Sequence, residues 1–278
     1  MIDLSIMKAG QCRHLECIAL RGGRIKVVPF PSLFFLLQHP TYGPCLIDTG
    51  YGSNMSDALN EFPFNIYGSI LPVEISNQQT AERQLTRLGI SPNEVRHLII
   101  THFHVDHIGG LKDFPNATFW SSSTAWNSVK RLSGIKALCN GFFPSMIPSD
   151  FEARLRPIES LRKIEGKPGF ETLGQNYDLF GDKSVLLVPL PGHAKGQFGV
   201  LVQERAGNLT LIAADACWTS KAYKECRMPS IFTYPFIDDV QSYRHTLRAL
   251  HAIHSSAAVT HILPSHCAEI AACARDVP

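Results

Sequence analysis

The segment Thr101-His-Phe-His-Val-Asp-His-Ile-Gly-Gly110 sets three imidazoles and a carboxylate within six residues. If His102 and His104 close an extended stretch, their side chains share one face, because a strand alternates with period two. A helix beginning near Asp106 puts Asp106 and His107 at its N-terminus, aimed back toward the same cavity. Gly109-Gly110 permits the tight backbone this needs. Imidazole nitrogen and carboxylate oxygen suit zinc, and also iron, manganese or cobalt. Surface histidines beside a helix cap rarely gather an acid at these spacings, so the segment reads as part of a metal site.

The elements that must hold this segment alternate between strand and helix. Arg24–Phe30 and Leu33–Gln38 are short apolar runs punctuated by prolines, and Cys45–Gly50 ends a buried strand in an Asp-Thr-Gly turn. Ser76–Leu88 has Ala81, Leu85 and Leu88 on one face and Gly89 as its stop, which predicts a helix. Val95–Ile100 reads as the strand that delivers the histidines. A strand (Ala117–Ser121), a helix (Ser123–Leu132) and a long irregular stretch (Gly134–Asn176) follow. Ser184–Leu190, Phe198–Gln203 and Leu209–Ala214 read as strands, Val240–His254 as a helix and Ala258–Leu263 as a last strand. Two groups of strands, each interleaved with helices, predict an α/β chain of two packed sheets with helices outside. Residues 1–278 read as a single domain with no internal repeat.

The histidine segment resembles the signature of the metallo-β-lactamase superfamily, and the likeness runs over residues 24–266. It implies a four-layer αββα sandwich. Asp48-Thr-Gly50 resembles the turn whose aspartate steadies the metal loop without binding metal. Pro191-Gly-His193 resembles the third metal-binding element. Asp215, closing Leu211-Ile-Ala-Ala-Asp, resembles the carboxylate that bridges two metals, and His266 resembles the last ligand. The resemblance assigns one metal to His102, His104 and His193, and the other to Asp106, His107 and His266, with Asp215 between them. It implies two divalent ions, zinc first, with iron, manganese or cobalt as alternatives. His14, His39, His97, His245, His251, His254 and His261 read as surface or core residues.

Two cations sharing a solvent molecule make hydroxide available near neutral pH, and Asp106 is the natural proton carrier toward a leaving alkoxide. That chemistry is hydrolysis of a lactone or other ester-like carbonyl, with no Ser or Cys nucleophile and no phosphate loop in the chain. Within the superfamily the layout is most similar to the N-acyl homoserine lactone lactonases, the quorum-quenching branch. Three aromatic-rich loops, Phe62–Tyr67, Phe142–Ile147 and Ile231–Ile237, suit a hydrophobic acyl substrate, a homodimer surface, or plain core. The branch usually carries a tyrosine three residues after the bridging aspartate, where this chain has Trp218. Tyr223 lies close by in sequence and is the other candidate for substrate contact. Cys267 stands after His266, where the branch commonly has an aspartate. A glyoxalase-like thioesterase or a phosphodiesterase could use the same metals, though Lys221–Arg227 is a thin docking cluster for a glutathione thioester. An iron-dependent oxygenase fits less well, because the diiron branch has a carboxylate where His104 stands.

Bulk properties agree with a folded enzyme. The 278 residues are 45% hydrophobic and 18% charged, enough for a large core and too apolar for disorder. A formal net charge of +2, without a basic block, predicts no nucleic-acid partner. No apolar run is long enough to span a bilayer, and the first residues lack the pattern of an export signal. The eight cysteines are irregularly spaced with no C-x-x-C pair, which predicts reduced thiols in a cytoplasmic protein.

Overall fold

Val27–His39 carries Pro29 and Pro31, yet it forms one strand in the computed structural model, which describes residues 2–166, 170 and 173–275. Its neighbours explain the tolerance. On one side of it the strand Gly43–Ile47 reaches residues 35–39 and no further, and on the other the pairing with Asp3–Leu15 shifts register between Lys8 and Gln11. The prolines therefore sit on a half-open, bulged part of the sheet, where a missing N–H is cheapest.

The first sheet comprises β1 (Asp3–Leu15), β2 (Val27–His39), β3 (Gly43–Ile47), β4 (Val73–Glu74), β5 (His97–Ile99), β6 (Thr118–Ser121) and β7 (Leu155–Pro157). Their spatial order is β4-β1-β2-β3-β5-β6-β7. The second sheet comprises β8 (Arg162–Ile164), β9 (Asn176–Asp178), β10 (Val185–Pro189), β11 (Phe198–Gln203), β12 (Leu209–Ala214) and β13 (His261–Pro264). It runs β13-β12-β11-β10-β9-β8, so each half of the chain builds its own sheet.

Strand alternation sorts most of the apolar side chains into three large cores. Leu33, Phe35 and Leu37 of β2 meet Val185, Leu187 and Ile212 of the other sheet between the two layers. Phe34 and Leu36 point the opposite way, toward Leu85 of the helix Ala81–Arg87 and Val129 of the helix Ser123–Val129. On the far side, Leu186, Val188 and Leu211 face Leu247, Leu250 and Ile253 of the helix Val240–Ser255. Sheets buried on both faces need cover on both, and the result is the four-layer αββα sandwich. Among the described residues no helix is long and apolar enough to cross a membrane.

Other elements differ from the sequence reading as well. The helix expected over Ser76–Leu88 is a short 3-10 turn, Asn77–Gln79, followed by Ala81–Arg87. Thr80 separates them because it is extended (ψ 151°) and its hydroxyl caps the second helix by accepting from Arg83 N–H. The stretch expected to be irregular holds the helices Gly134–Cys139 and Phe151–Arg154 together with β7 and β8. Three-residue strands are too short to show a period.

β3 and β5 are parallel, and β10, β12 and β13 run in one direction, since β11 is antiparallel to both its partners and β13 is parallel to β12. Within each sheet, then, these strands finish at the same end. The loops that leave those ends carry the chemistry.

Candidate metal centre

Asp48 follows β3 in a left-handed conformation, φ 57°, which a short polar side chain tolerates better than most. The conformation turns its carboxylate into the protein. There it accepts from Thr101 N–H at 2.9 Å, from the Thr101 hydroxyl at 2.8 Å and from His107 Nδ1–H at 2.7 Å. Because the Thr101 hydroxyl donates to Asp48, it accepts from His102 Nδ1–H at 3.1 Å. Both imidazoles thereby keep their Nε2 lone pairs for the interior. His266 follows the same rule, giving its Nδ1–H to the carbonyl of Pro31 at 2.7 Å.

The expected helix after the histidine pair is one turn, Val105–Ile108, and it carries Asp106 and His107. Its close approach to the Asp48 turn requires Gly109: a Cβ there would sit 2.3 Å from Gly52 N. The requirement is one of room, since Gly109 is itself helical, φ −59°. Ser32 holds the turn from the other side by donating to the Asp106 carbonyl at 2.5 Å. His104 differs from the other histidines in presenting Nδ1, which lies 3.0 Å from His193 Nε2. Gly141, at φ +59°, lies under the His104 ring, where a Cβ would come within 2.9 Å of Cδ2.

From the second sheet come His193 after β10, Asp215 after β12 and His266 after β13. Ala214, just before Asp215, has φ 47°, and the β12–β13 register shifts between Ile212 and Ala214. A left-handed alanine is strained. Here the strain accompanies a bend that carries Asp215 off the sheet and between the histidines. Its Oδ1 lies 3.3 Å from His107 Nε2, and its Oδ2 lies 3.3 Å from His193 Nε2 and 3.1 Å from His266 Nε2.

The seven side chains fall into two groups, His102, His104, His193 and Asp215, and Asp106, His107 and His266. Within each group the potential ligand atoms lie within 4.8 Å of one another. His102 Nε2, His107 Nε2 and Asp215 Oδ1 are buried without a hydrogen-bond partner, which is costly unless something else satisfies them. Two ring nitrogens at 3.0 Å, as in His104 and His193, need either a shared proton or a shared cation. Burial pushes His102 and His104 below the usual histidine range and His193 down to about 3, which keeps all three neutral and able to ligate. Burial alone would raise Asp215, but His266, His107 and His193 hold it well below the carboxylate range. Burial also opposes charge on His107, yet Asp48, Asp215 and Asp106 together push it well above the histidine range. The carboxylates that favour a proton on His107 and His266 would favour a metal cation there too, and with three neutral imidazoles they make a donor set that divalent first-row metals take.

Trp218 is at this centre: its indole N–H donates to Asp215 Oδ2 at 3.1 Å. Tyr223 is not, and the expectation that it contacts substrate is corrected. It is buried in the outer core under the second sheet, and its hydroxyl donates to the carbonyl of Ile262 at 3.4 Å. The helix Ser220–Lys224 turns that face toward β13, where a buried phenol takes the nearest free carbonyl.

Sequence reasoning passed over three neighbours. Phe30 stacks on His266, ring centroids 4.2 Å apart. Tyr51 and Tyr67 share a hydroxyl–hydroxyl hydrogen bond of 3.1 Å, and burial, with Asp106 adding, pushes both phenols well above their ordinary range. Tyr51 directly follows the Asp-Thr-Gly turn, a position that could have flagged it.

Of the three aromatic loops, Phe142, Phe143 and Met146 are core. Phe62, Phe232 and Phe236 are exposed. A cleft of about 590 Å³ opens beside His104 and His193, lined by Phe236 and Ile237 but also by Ser123, Asn140 and Lys195.

A cage of imidazoles and carboxylates at the shared ends of two stacked sheets defines a metal-dependent hydrolase. The family model of the metallo-beta-lactamase superfamily matches residues 27–205, and the chain belongs to that superfamily. It is 29% identical over 247 residues to the N-acyl homoserine lactonase AttM of Rhizobium johnstonii, covering 87% of this chain and 86% of that protein. It is 30% identical over 195 residues to a probable metallo-hydrolase of Mycobacterium tuberculosis, 68% of this chain and 57% of that one. Among solved structures, an N-acyl homoserine lactone hydrolase with its product N-hexanoyl-L-homoserine at the catalytic metal centre aligns with a TM-score of 0.75. That match covers 98% of this chain and 96% of the other at 18% identity, a likeness of fold.

Proposed function

We propose that this chain opens a lactone or a similar ester-like carbonyl, with N-acyl homoserine lactones the first candidates, using two divalent ions, zinc foremost. The observation that carries the reading is Asp215, whose two oxygens lie 3.3 Å from His107 and 3.3 Å from His193, one residue of each group. Such a carboxylate joins two ion sites into one centre. Ions bound there supply hydroxide at neutral pH and polarise a carbonyl oxygen.

The protein's part is orientation and proton transfer. Asp48, Thr101 and Pro31 fix the tautomers of His107, His102 and His266, so each turns the same nitrogen inward. Asp106 is the acid of the centre that reaches solvent, its side chain 14% exposed against 3% for Asp215. It carries the proton to the leaving alkoxide. The cleft beside His104 and His193 has the volume of a small-molecule site, and Phe236 with Ile237 gives it an apolar wall for an acyl chain.

The curated relative AttM, similar over most of both chains, supports the lactone reading. A glutathione thioester fits less well, because Arg227 of the thin basic cluster is taken up by Glu225 and the carbonyl of Arg21. The deciding experiment is a turnover screen of acyl homoserine lactones, aryl esters, thioesters and phosphodiesters with zinc-, iron-, manganese- and cobalt-loaded protein. Lactones are expected to give the highest kcat/KM; a clear preference for thioesters or phosphodiesters would replace this reading.

A further inference from the structure

The side chain of an aspartate shared between two ion sites has a free choice to settle. Its terminal torsion is broad and roughly two-fold, so nothing intrinsic says which oxygen serves which group. Among the described residues, the side chain that offers Asp215 a proton at a fixed place, whatever the tautomers of the histidines, is Trp218. Indole Nε1–H is a donor and never an acceptor, and it points at Oδ2 at 3.1 Å. Oδ2 is also the oxygen near His193 and His266, whereas Oδ1, near His107, has no hydrogen-bond partner.

The indole is itself held. Its ring stands edge-on to Phe30 with centroids 5.8 Å apart, and edge-on to His193, also at 5.8 Å. Phe30 in turn stacks on His266 at 4.2 Å and packs with Cys12 and Ala19 against Trp218. Phe30 and Trp218 thus form an aromatic bracket that touches one histidine of each group and grips the carboxylate between them.

We infer that Trp218 is a positioning residue for the shared carboxylate: its N–H fixes the orientation of Asp215, and with Phe30 it brings the two ion sites into register. The indole acts through Asp215 and not as a donor to substrate. The inference rests on the cage being a metal site and is independent of which carbonyl is hydrolysed.

Hydrogen-bond partners of metal ligands characteristically change affinity by ~10–100-fold when removed. Trp218→Phe keeps an aromatic ring and loses only the N–H and part of the ring area. Competition with a chromophoric chelator should show Zn²⁺ held at least about 10-fold more weakly by Trp218→Phe. A role confined to packing would instead lower Tm in chelator and leave the affinity alone, which overturns the inference. A second measurement does not depend on that variant folding. The chain has three tryptophans, and Trp120 and Trp126 donate to His97 and Glu152, away from the cage. In Trp120→Phe/Trp126→Phe, Co²⁺ titration should quench the single remaining indole in step with occupancy. Loss of quenching, with Co²⁺ bound, overturns the placement of Trp218. A wild-type chain that retains no Zn²⁺ or Co²⁺ refutes the metal reading itself, an outcome the stoichiometry distinguishes from the other two.

Discussion

Asp48 Oδ2 accepts His107 Nδ1–H at 2.7 Å, with both side chains buried, so Asp48 decides that Nε2 is the nitrogen His107 turns into the cage. Asp48→Asn would replace one acceptor oxygen by an NH₂ group, and the amide cannot satisfy Thr101 N–H, the Thr101 hydroxyl and His107 at once. Metal affinity is expected to fall ~10–100-fold. Leaving a buried donor unpaired should also cost about 1–3 kcal/mol of stability. Chelator competition and denaturant unfolding check the two effects separately. Unchanged affinity would mean that His107 is not a ligand.

Seven candidate ligands are too many for one tetrahedral ion. Elemental analysis after mild dialysis should return about two ions per chain. Ions that bind only the folded state stabilise it by mass action, so chelation should lower Tm as well as abolish turnover. A reproducible value near one ion with full activity would reject the paired centre.

Asp106→Asn retains the shape of the side chain but can neither ligate equally well nor move a proton. Turnover should drop at least ~10²-fold while the far-UV spectrum and the fold persist. Near-normal rates with full metal content would remove Asp106 from both roles.

Asp113 lies beyond the metal-loop turn, where burial, with Glu82 adding, pushes its carboxyl from 3.8 to about 6. A carboxyl raised on folding prefers the folded state while protonated. Its stabilising contribution is therefore complete below 3.8 and is lost as pH climbs through about 6. Asp113→Asn mimics the protonated acid at every pH. Its Tm should exceed that of the wild type at pH 7.5, and the gap should close toward pH 4. An equal gap at both values would contradict the shift.

Legibility from sequence followed the length of the signal. The bounds of Phe198–Gln203 and Leu209–Ala214 are as read, because five or six consecutive apolar or β-branched residues leave little choice. β1 had no such run, since its thirteen residues mix charged and apolar types, and only its long pairing with β2 makes it a strand. The seven side chains the structure gathers are those named from sequence, since each stands in a short local pattern at a strand end. Tyr223 misled because nearness in sequence to Asp215 says nothing about helix face, and the face it occupies looks into the outer core. The Tyr51–Tyr67 pair was invisible for the converse reason: its partners meet through a loop fold that no period encodes.

Each ion group draws on both sheets. His102 and His104 need His193 and Asp215 from across the sandwich, and Asp106 and His107 need His266. A molecule with one sheet formed and the other still searching owns pieces of both groups and the whole of neither. The cage in this design acts as a certificate of completed assembly: a half-built copy lacks part of each candidate ligand set. The turnover of a population therefore counts its finished molecules, and a destabilising lesion anywhere in the seam should reduce the number of working copies before it slows any one of them.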